Sequence, residues 1–161
     1  MTKIGFLSCS ACLSSGADRR PDAFEHDDEL AALAAPFADA GLSLVPVDWR
    51  RIGADHPFDL LWIRTAWDYV DHPAEFADFI ARADIAPRLE NHPDLVRWNL
   101  AKTYLKDLVA EDKAIASVFI EEQPLATEQI FADLCSDDIV IKPIIGSTGI
   151  GHGIAIPHCR T

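Results

Sequence analysis

Cations are scarce in this chain: 14 lysines and arginines stand against 26 aspartates and glutamates, a net charge of −12. A nucleic-acid or membrane-surface partner would favour a basic face, so both partner classes are set aside. A phosphate site would have to gather its few positive charges locally. Long apolar runs are missing as well. No stretch reaches membrane length, and Met1-Thr2-Lys3-Ile4 leads directly into a strand pattern without a secretory leader. The chain is therefore expected in the cytoplasm. Internal repeats and low-complexity segments are absent. Cysteine is limited to Cys9, Cys12, Cys135 and Cys159, which a reducing compartment keeps as free thiols. Cys9-Ser-Ala-Cys12 has C-x-x-C spacing, which is read as coincidental. A thioredoxin-type pair should open a helix, whereas Leu13 to Ala17 reads as loop. A closed zinc site needs four ligands, and His158-Cys159 is not a well-spaced second pair. A redox or metal role for Cys9 and Cys12 is the remaining alternative.

What is present is core material. Hydrophobic residues make up 49% of 161 positions, enough for one domain or two small ones. Lys3 to Ser8 reads as a first strand, followed by a loop to Pro21. Asp27 or Asp28 is placed to cap a helix whose apolar face holds Leu30, Leu33, Ala34 and Phe37. Gly41 ends it, and Pro36 inside it predicts a kink or a shortening. Leu42 to Trp49 and Asp59 to Arg64 read as the second and third strands. Arg64-Thr65-Ala66-Trp67-Asp68-Tyr69 then forms a polar, aromatic cluster, and Pro73 starts a helix carrying Phe76, Phe79 and Ile80. This order predicts an α/β fold with an open, mainly parallel sheet. Ligands of such sheets collect beyond the carboxyl ends of the strands. Arg64 is therefore placed to clamp a carboxylate, and Asp68 to accept from an ammonium or a hydroxyl. From position alone, an Arg–Asp pair that only fixes the loop fits as well.

A break falls around Glu90-Asn91-His92-Pro93. Pro93 begins a short helical turn, and a helix from near Asn99 to Ala110 buries Leu100, Tyr104, Leu105 and Leu108. Lys102 and Lys106 lie one turn apart, off that face. Ala116 to Ile120 reads as a strand, and Thr127 caps a short helix with Ile130, Phe131 and Leu134. Ile139-Val140-Ile141-Lys142-Pro143 is a buried strand interrupted by one lysine, with Lys142 on the face opposite Ile141. Glycines follow at 146, 149, 151 and 153. Such a loop can turn its N–H groups toward an anion. It is not a P-loop, because His152-Gly153 stands where Lys-Ser/Thr is required. Nor is it a dinucleotide fingerprint, because Ile154-Ala155-Ile156 reads as a strand where a helix should open. What survives is strand, lysine, glycine loop and strand, the loop serving as a flap over a polyphosphate or merely as a hairpin connection.

Three segments occur in order: Ile63-Arg64-Thr65-Ala66-Trp67-Asp68-Tyr69, Leu95-Val96-Arg97-Trp98-Asn99-Leu100-Ala101-Lys102, and Val140-Ile141-Lys142-Pro143 with its glycine loop. The series resembles ATP-grasp ligases, in particular bacterial proteins similar to glutathione synthetase and the cycloserine-pathway ligase. His26-Asp27-Asp28-Glu29-Leu30 is similar to that family's early acidic motif. The resemblance implies a preATP-grasp α/β domain over residues 1–92. Residues 93–161 would be the first, incomplete α+β lobe of an ATP-grasp nucleotide-binding domain. It implies an ATP-dependent ligase that joins a small-molecule carboxylate to an amine through an acyl phosphate. By position, Lys102 would reach the α-phosphate, and Lys142 the α-phosphate and the adenine edge. The amides of Ser147 to Gly151 (Ser147, Thr148, Gly149 and Gly151 among them) would cover the β- and γ-phosphates, and Gly146 would belong to the same ATP site. Arg64, Thr65 and Asp68 would belong to the substrate side. No catalytic residue beyond these is assigned.

The family's magnesium ligands and adenine-hinge residues follow the glycine loop, whereas this chain ends soon after it, at Thr161. Hence ATP is the expected cofactor, Mg²⁺ belongs to the complete family member, and no metal ligand is assigned here. The chain by itself is expected to be inactive, the missing half being supplied by a separate chain or lost. Ala116-Ser117 also departs from the Pro-Thr the family often shows. The alternative is a non-catalytic nucleotide-binding or dimerisation module, and homo-oligomerisation is compatible with either.

Overall fold

The strand β1 (Thr2–Ser8) lies between two neighbours, so its backbone is bonded on both edges. It pairs in parallel with β2 (Leu42–Asp48) from Thr2↔Leu42 to Ser8↔Asp48. It pairs in parallel with β3 (Leu60–Thr65) from Ile4↔Leu60, and the register shifts between Leu7 and Ser8 so that Ser8 faces Thr65. The order is β2-β1-β3, as expected for an open parallel sheet. In this computed structural model residues 1–120, 127–136, 139–146 and 153–155 are described. They fall into two compact units, residues 1–97 and 98–161.

Helix α2 (Phe24–Asp39) covers the sheet face that carries Phe6 and Trp62. Phe37 stacks on Trp62 at 5.9 Å, and His26 meets Phe6 edge-on at 5.5 Å. Leu30, Leu33 and Phe37 are half-buried, whereas Ala34 is exposed. The helix starts at Phe24, before the expected cap at Asp27 or Asp28, because the turn preceding it is already helical at Ala23. Glu25 and Asp27 lie in its first turn, where the helix dipole favours negative charge. Pro36 does not stop it. Ala32, whose carbonyl Pro36 leaves without an N–H partner, is exposed, as is Pro36 itself, so water can satisfy the loss. Gly41, at φ 72°, then ends the helix in the left-handed conformation that glycine adopts without penalty.

Two short turns punctuate the loop after β1, where only irregular structure was expected. Helix α1 (Ser10–Leu13) follows Cys9 directly, and a 3-10 turn spans Gly16–Asp18. After β3 a 3-10 turn (Trp67–Val70) leads into α3 (Pro73–Ala81), whose Phe76, Phe79 and Ile80 are buried. Trp49, fully buried, packs edge-on against Phe76 at 5.1 Å. Leu89 makes a parallel bridge to Leu61, and the Glu90 N–H donates to the Leu61 carbonyl, so the chain runs briefly beside β3.

The second unit is simpler. Helix α4 (Pro93–Leu100) spans the boundary between the units and is followed by a 3-10 turn (Lys102–Tyr104), then α5 (Leu105–Ala110) and α6 (Thr127–Leu134). The single helix expected from Asn99 to Ala110 is therefore broken at Ala101, whose backbone is extended. Ala116 to Ile120, expected as a strand, has no regular structure. It finds no partner strand among the described residues, and unpaired strands are not stable. Strands β4 (Ile139–Ile141) and β5 (Gly153–Ala155) pair antiparallel, Ile141 opposite Gly153. No helix among the described residues is long and apolar enough to cross a membrane.

Gly5 marks the tightest point of the first unit. A Cβ added there would stand 2.9 Å from Leu61 Cδ2 and 3.1 Å from Phe58 Cγ. Overpacking of this kind costs about 1–3 kcal/mol. Gly5→Ala is expected to lower the unfolding free energy by that amount, read as a fall in the urea midpoint followed by tryptophan fluorescence; an unchanged midpoint would show that the two side chains yield freely.

Candidate functional site

The carboxyl ends of β1 and β3 carry a buried chain of hydrogen bonds. The Thr65 hydroxyl donates to Ser8 Oγ at 2.9 Å, and Ser8 Oγ donates to the Phe6 carbonyl at 3.3 Å. His26 Nδ1 lies 2.8 Å from Thr65 Oγ1. With the Thr65 proton directed at Ser8, the Thr65 oxygen accepts from Nδ1–H, which sets the tautomer of a neutral imidazole. All three side chains are buried. Burial pushes the His26 pKa below 6.5, against Asp27 and Glu29, which raise it, and together with Arg19, which lowers it.

Arg64, Thr65 and Asp68 do not converge on one another. Arg64 pairs with Glu29 of α2, and its guanidinium lies 4.7 Å from the centre of the Trp62 ring. Thr65 is committed to the hydroxyl chain. Asp68 accepts from Trp49 Nε1 at 2.7 Å and lies 3.4 Å from Arg50. The Arg–Asp pair that fixes this loop is thus Arg50–Asp68, supplied by the turn after β2 (Trp49–Arg51).

Beside them lies a pair the spacing reading undervalued. Cys9 Sγ and Cys12 Sγ are 3.2 Å apart, both buried, at the end of the central strand. The Cys9 N–H donates to the Thr65 carbonyl at 2.9 Å, and the Cys12 thiol lies 3.8 Å from the same oxygen. A hydrogen bond from Cys12 holds the Cys9 thiol down to about 6, whereas the same contact and burial raise Cys12. The C-x-x-C spacing was the signal. The short helix behind it was hidden because Leu13-Ser14-Ser15-Gly16 reads as loop.

The second unit holds the lysines. Lys102 sits in the 3-10 turn, its N–H donating to the Ile144 carbonyl at 2.8 Å and its Nζ to the Gly146 carbonyl at 2.9 Å. Lys142 lies one residue beyond β4. Burial first, and the charge of Lys142 second, lower the Lys102 pKa. Neither lysine has an ion-pair partner among the described residues. Gly146 fits closely, since a Cβ there would meet Pro143 Cγ at 2.8 Å. Ser147, Thr148, Gly149 and Gly151 lie outside the described residues. The described residues contain no group of three or more His, Cys, Asp or Glu able to hold a metal ion.

A parallel three-strand sheet of order β2-β1-β3, with its polar residues at the strand ends, defines an α/β domain, and sequence comparison specifies which. The family described as D-cycloserine synthetase DcsG, N-terminal domain, matches residues 4–91, more than half the chain, and the chain belongs to that family. The cycloserine biosynthesis protein DcsG of Streptomyces lavendulae is 39% identical over 64 residues, which is 40% of this chain and 19% of that protein. The crystal structure of D-cycloserine synthetase DcsG superposes with a TM-score of 0.67 at 19% identity, covering 96% of this chain and 50% of the solved one. That likeness shows a shared fold. The chain spans about half the length of the solved relative.

The buried imidazole has a measurable consequence. Its pKa in the folded chain lies below 6.5, so the unfolded state takes up the proton first. Stability present above pH 6.5 is therefore lost as the pH falls from there through the folded value. Thermal melts between pH 7.5 and 5 should show this decline, and His26→Gln should flatten it even if its midpoint is lower throughout. Cys9 titrates near pH 6 in both chains and cancels in the comparison. Parallel curves for the two chains would assign the decline to other groups.

Proposed function

We propose that this chain is the nucleotide-binding front part of an ATP-dependent ligase of the ATP-grasp type, which joins a carboxylate to an amine through an acyl phosphate. The observation that carries the proposal is the pair Lys102 and Lys142. A half-buried ammonium whose proton affinity is depressed first by burial and then by a second lysine is an unbalanced cation cluster. A phosphate anion placed there would restore the affinity and take the Lys102 Nζ hydrogen bond from the Gly146 carbonyl. In a chain of net charge −12, two cations without a carboxylate partner among the described residues are an unusual allocation. The β4–β5 pairing on either side of the glycine-rich connection supports the same assignment.

On this reading ATP supplies the phosphoryl group that activates the carboxylate. Lys102 and Lys142 bind and orient its phosphates, with the amides of Gly146, Ser147, Thr148, Gly149 and Gly151 as further donors. Arg64, Thr65 and Asp68 are assigned to the carboxylate or amine substrate, and Arg64 would exchange Glu29 for a substrate carboxylate. The relatives carry cycloserine in their names, which favours an amino-acid-derived substrate. The described residues do not fit magnesium, an ion that demands oxygen ligands, and no step is assigned to it. Turnover would need ligands from outside the described residues.

Titration calorimetry with ATP tests the proposal. The chain should bind ATP, and Lys102→Ala or Lys142→Ala should each remove a charge-assisted hydrogen bond of about 1.5–3 kcal/mol. That corresponds to a loss of roughly ten- to a hundredfold in affinity. Arg64→Ala should leave ATP affinity unchanged. The chain alone should release no phosphate from ATP. Absence of binding at millimolar ATP, or full affinity in both lysine variants, would overturn the assignment.

A further inference from the structure

Cys9 and Cys12 have no part in the proposed nucleotide chemistry, yet they occupy the position where ligands of parallel sheets gather. Cys9, extended at φ −88° and ψ 155°, precedes α1, and Cys12 lies in it. This brings two sulfurs separated by two residues to 3.2 Å. Such a distance permits a shared proton, and a small rotation of either side chain brings the sulfurs to bonding distance. A metal would need further ligands, and none gather around the pair among the described residues. The thiols are buried, while Ser10 and Leu13 on the same short turn are exposed.

We propose that Cys9 and Cys12 form a peroxide-responsive dithiol that closes reversibly to an intramolecular disulfide. The Cys9 thiolate attacks one oxygen of hydrogen peroxide. The O–O bond breaks, the departing hydroxide takes a proton to become water, and Cys9 is left as a sulfenic acid. The Cys12 sulfur then attacks the Cys9 sulfur. The S–S bond forms as the S–O bond breaks, and the hydroxide leaves with the Cys12 proton as a second water. Two thiols and one peroxide give one disulfide and two waters, and an added dithiol reverses the change. The roles follow from position. The Cys12 sulfur lies 3.8 Å from the Thr65 carbonyl and Cys12 keeps its proton, while its contact with Cys9 favours the Cys9 thiolate. Among the surrounding charges, Arg20 favours the Cys9 thiolate, while Asp68 opposes it and Asp22 opposes ionisation of Cys12.

The test treats the intact, reduced chain with hydrogen peroxide, alkylates what remains, and maps the tryptic peptide Ile4–Arg19. The expected result is loss of two of the four thiols, with this peptide two hydrogens lighter, the chain monomeric on a non-reducing gel, and full recovery with dithiothreitol. The closure rate should level off above about pH 7, because Cys9 is held near 6 and not at its ordinary 9.0. Cys12→Ser should accumulate a dimedone-trapped sulfenic acid at Cys9, and Cys9→Ser should leave Cys12 unmodified. Removing the other two thiols, Cys135→Ser and Cys159→Ser together, should leave closure unchanged. Consumption of the exposed Cys135 while Cys9 and Cys12 stay fully alkylatable would overturn the proposal. So would cross-linked dimers in place of the internal bond, or a rate that rises steadily to pH 9.

Discussion

Three polar side chains are buried where β1 meets β3, and the first unit is arranged so that none of them wastes a proton. Ser8, Thr65 and His26 come from two strands and a helix. Leaving any one unsatisfied in that position would cost about 1–3 kcal/mol. The register shift after Leu7 is what brings Ser8 opposite Thr65, and the same shift sends the Cys9 N–H to the Thr65 carbonyl. The angle at which α2 can sit is constrained in turn, since His26 must reach Thr65 while Phe37 stacks on Trp62.

The two units use their positive charge differently. In the first, guanidinium groups are committed to carboxylates of the same unit: Arg19 to Asp27, Arg20 to Asp22, Arg50 to Asp68, Arg64 to Glu29 and Arg82 to Asp84. Exposed pairs of this sort contribute little stability each. They do hold loops in place, and Asp68 gains its position from Trp49 as well. In the second unit Lys113 pairs with Glu111, whereas Lys102 gives its hydrogen bond to a carbonyl and has no carboxylate partner among the described residues.

Much of the first unit was legible because its signals are local and redundant. Apolar runs marked β1, β2 and β3, Gly41 marked the end of α2, and Pro73 the start of α3. The failures have physical causes. Pro36 suggested a kinked or shortened helix, yet the helix runs on to Asp39, because an exposed carbonyl can be satisfied by water. Ala116 to Ile120 has strand-forming residues, yet strand propensity without a partner produces none. Arg64 and Asp68 were placed at the right strand end, whereas their partners, Glu29 in α2 and Arg50 in the turn after β2, come from distant segments that no spacing rule connects. The Cys9–Cys12 contact escaped because a four-residue helix is too short to leave a periodic trace.

The lack of a side chain at position 5 also couples that site to two others. Leu61 and Phe58 fill the space a methyl group would need, so the three positions share one fixed volume. Drift to a larger residue at the first is accessible only through prior shrinkage at one of the others. Along any lineage carrying this domain, the trio should change in concert and in that order.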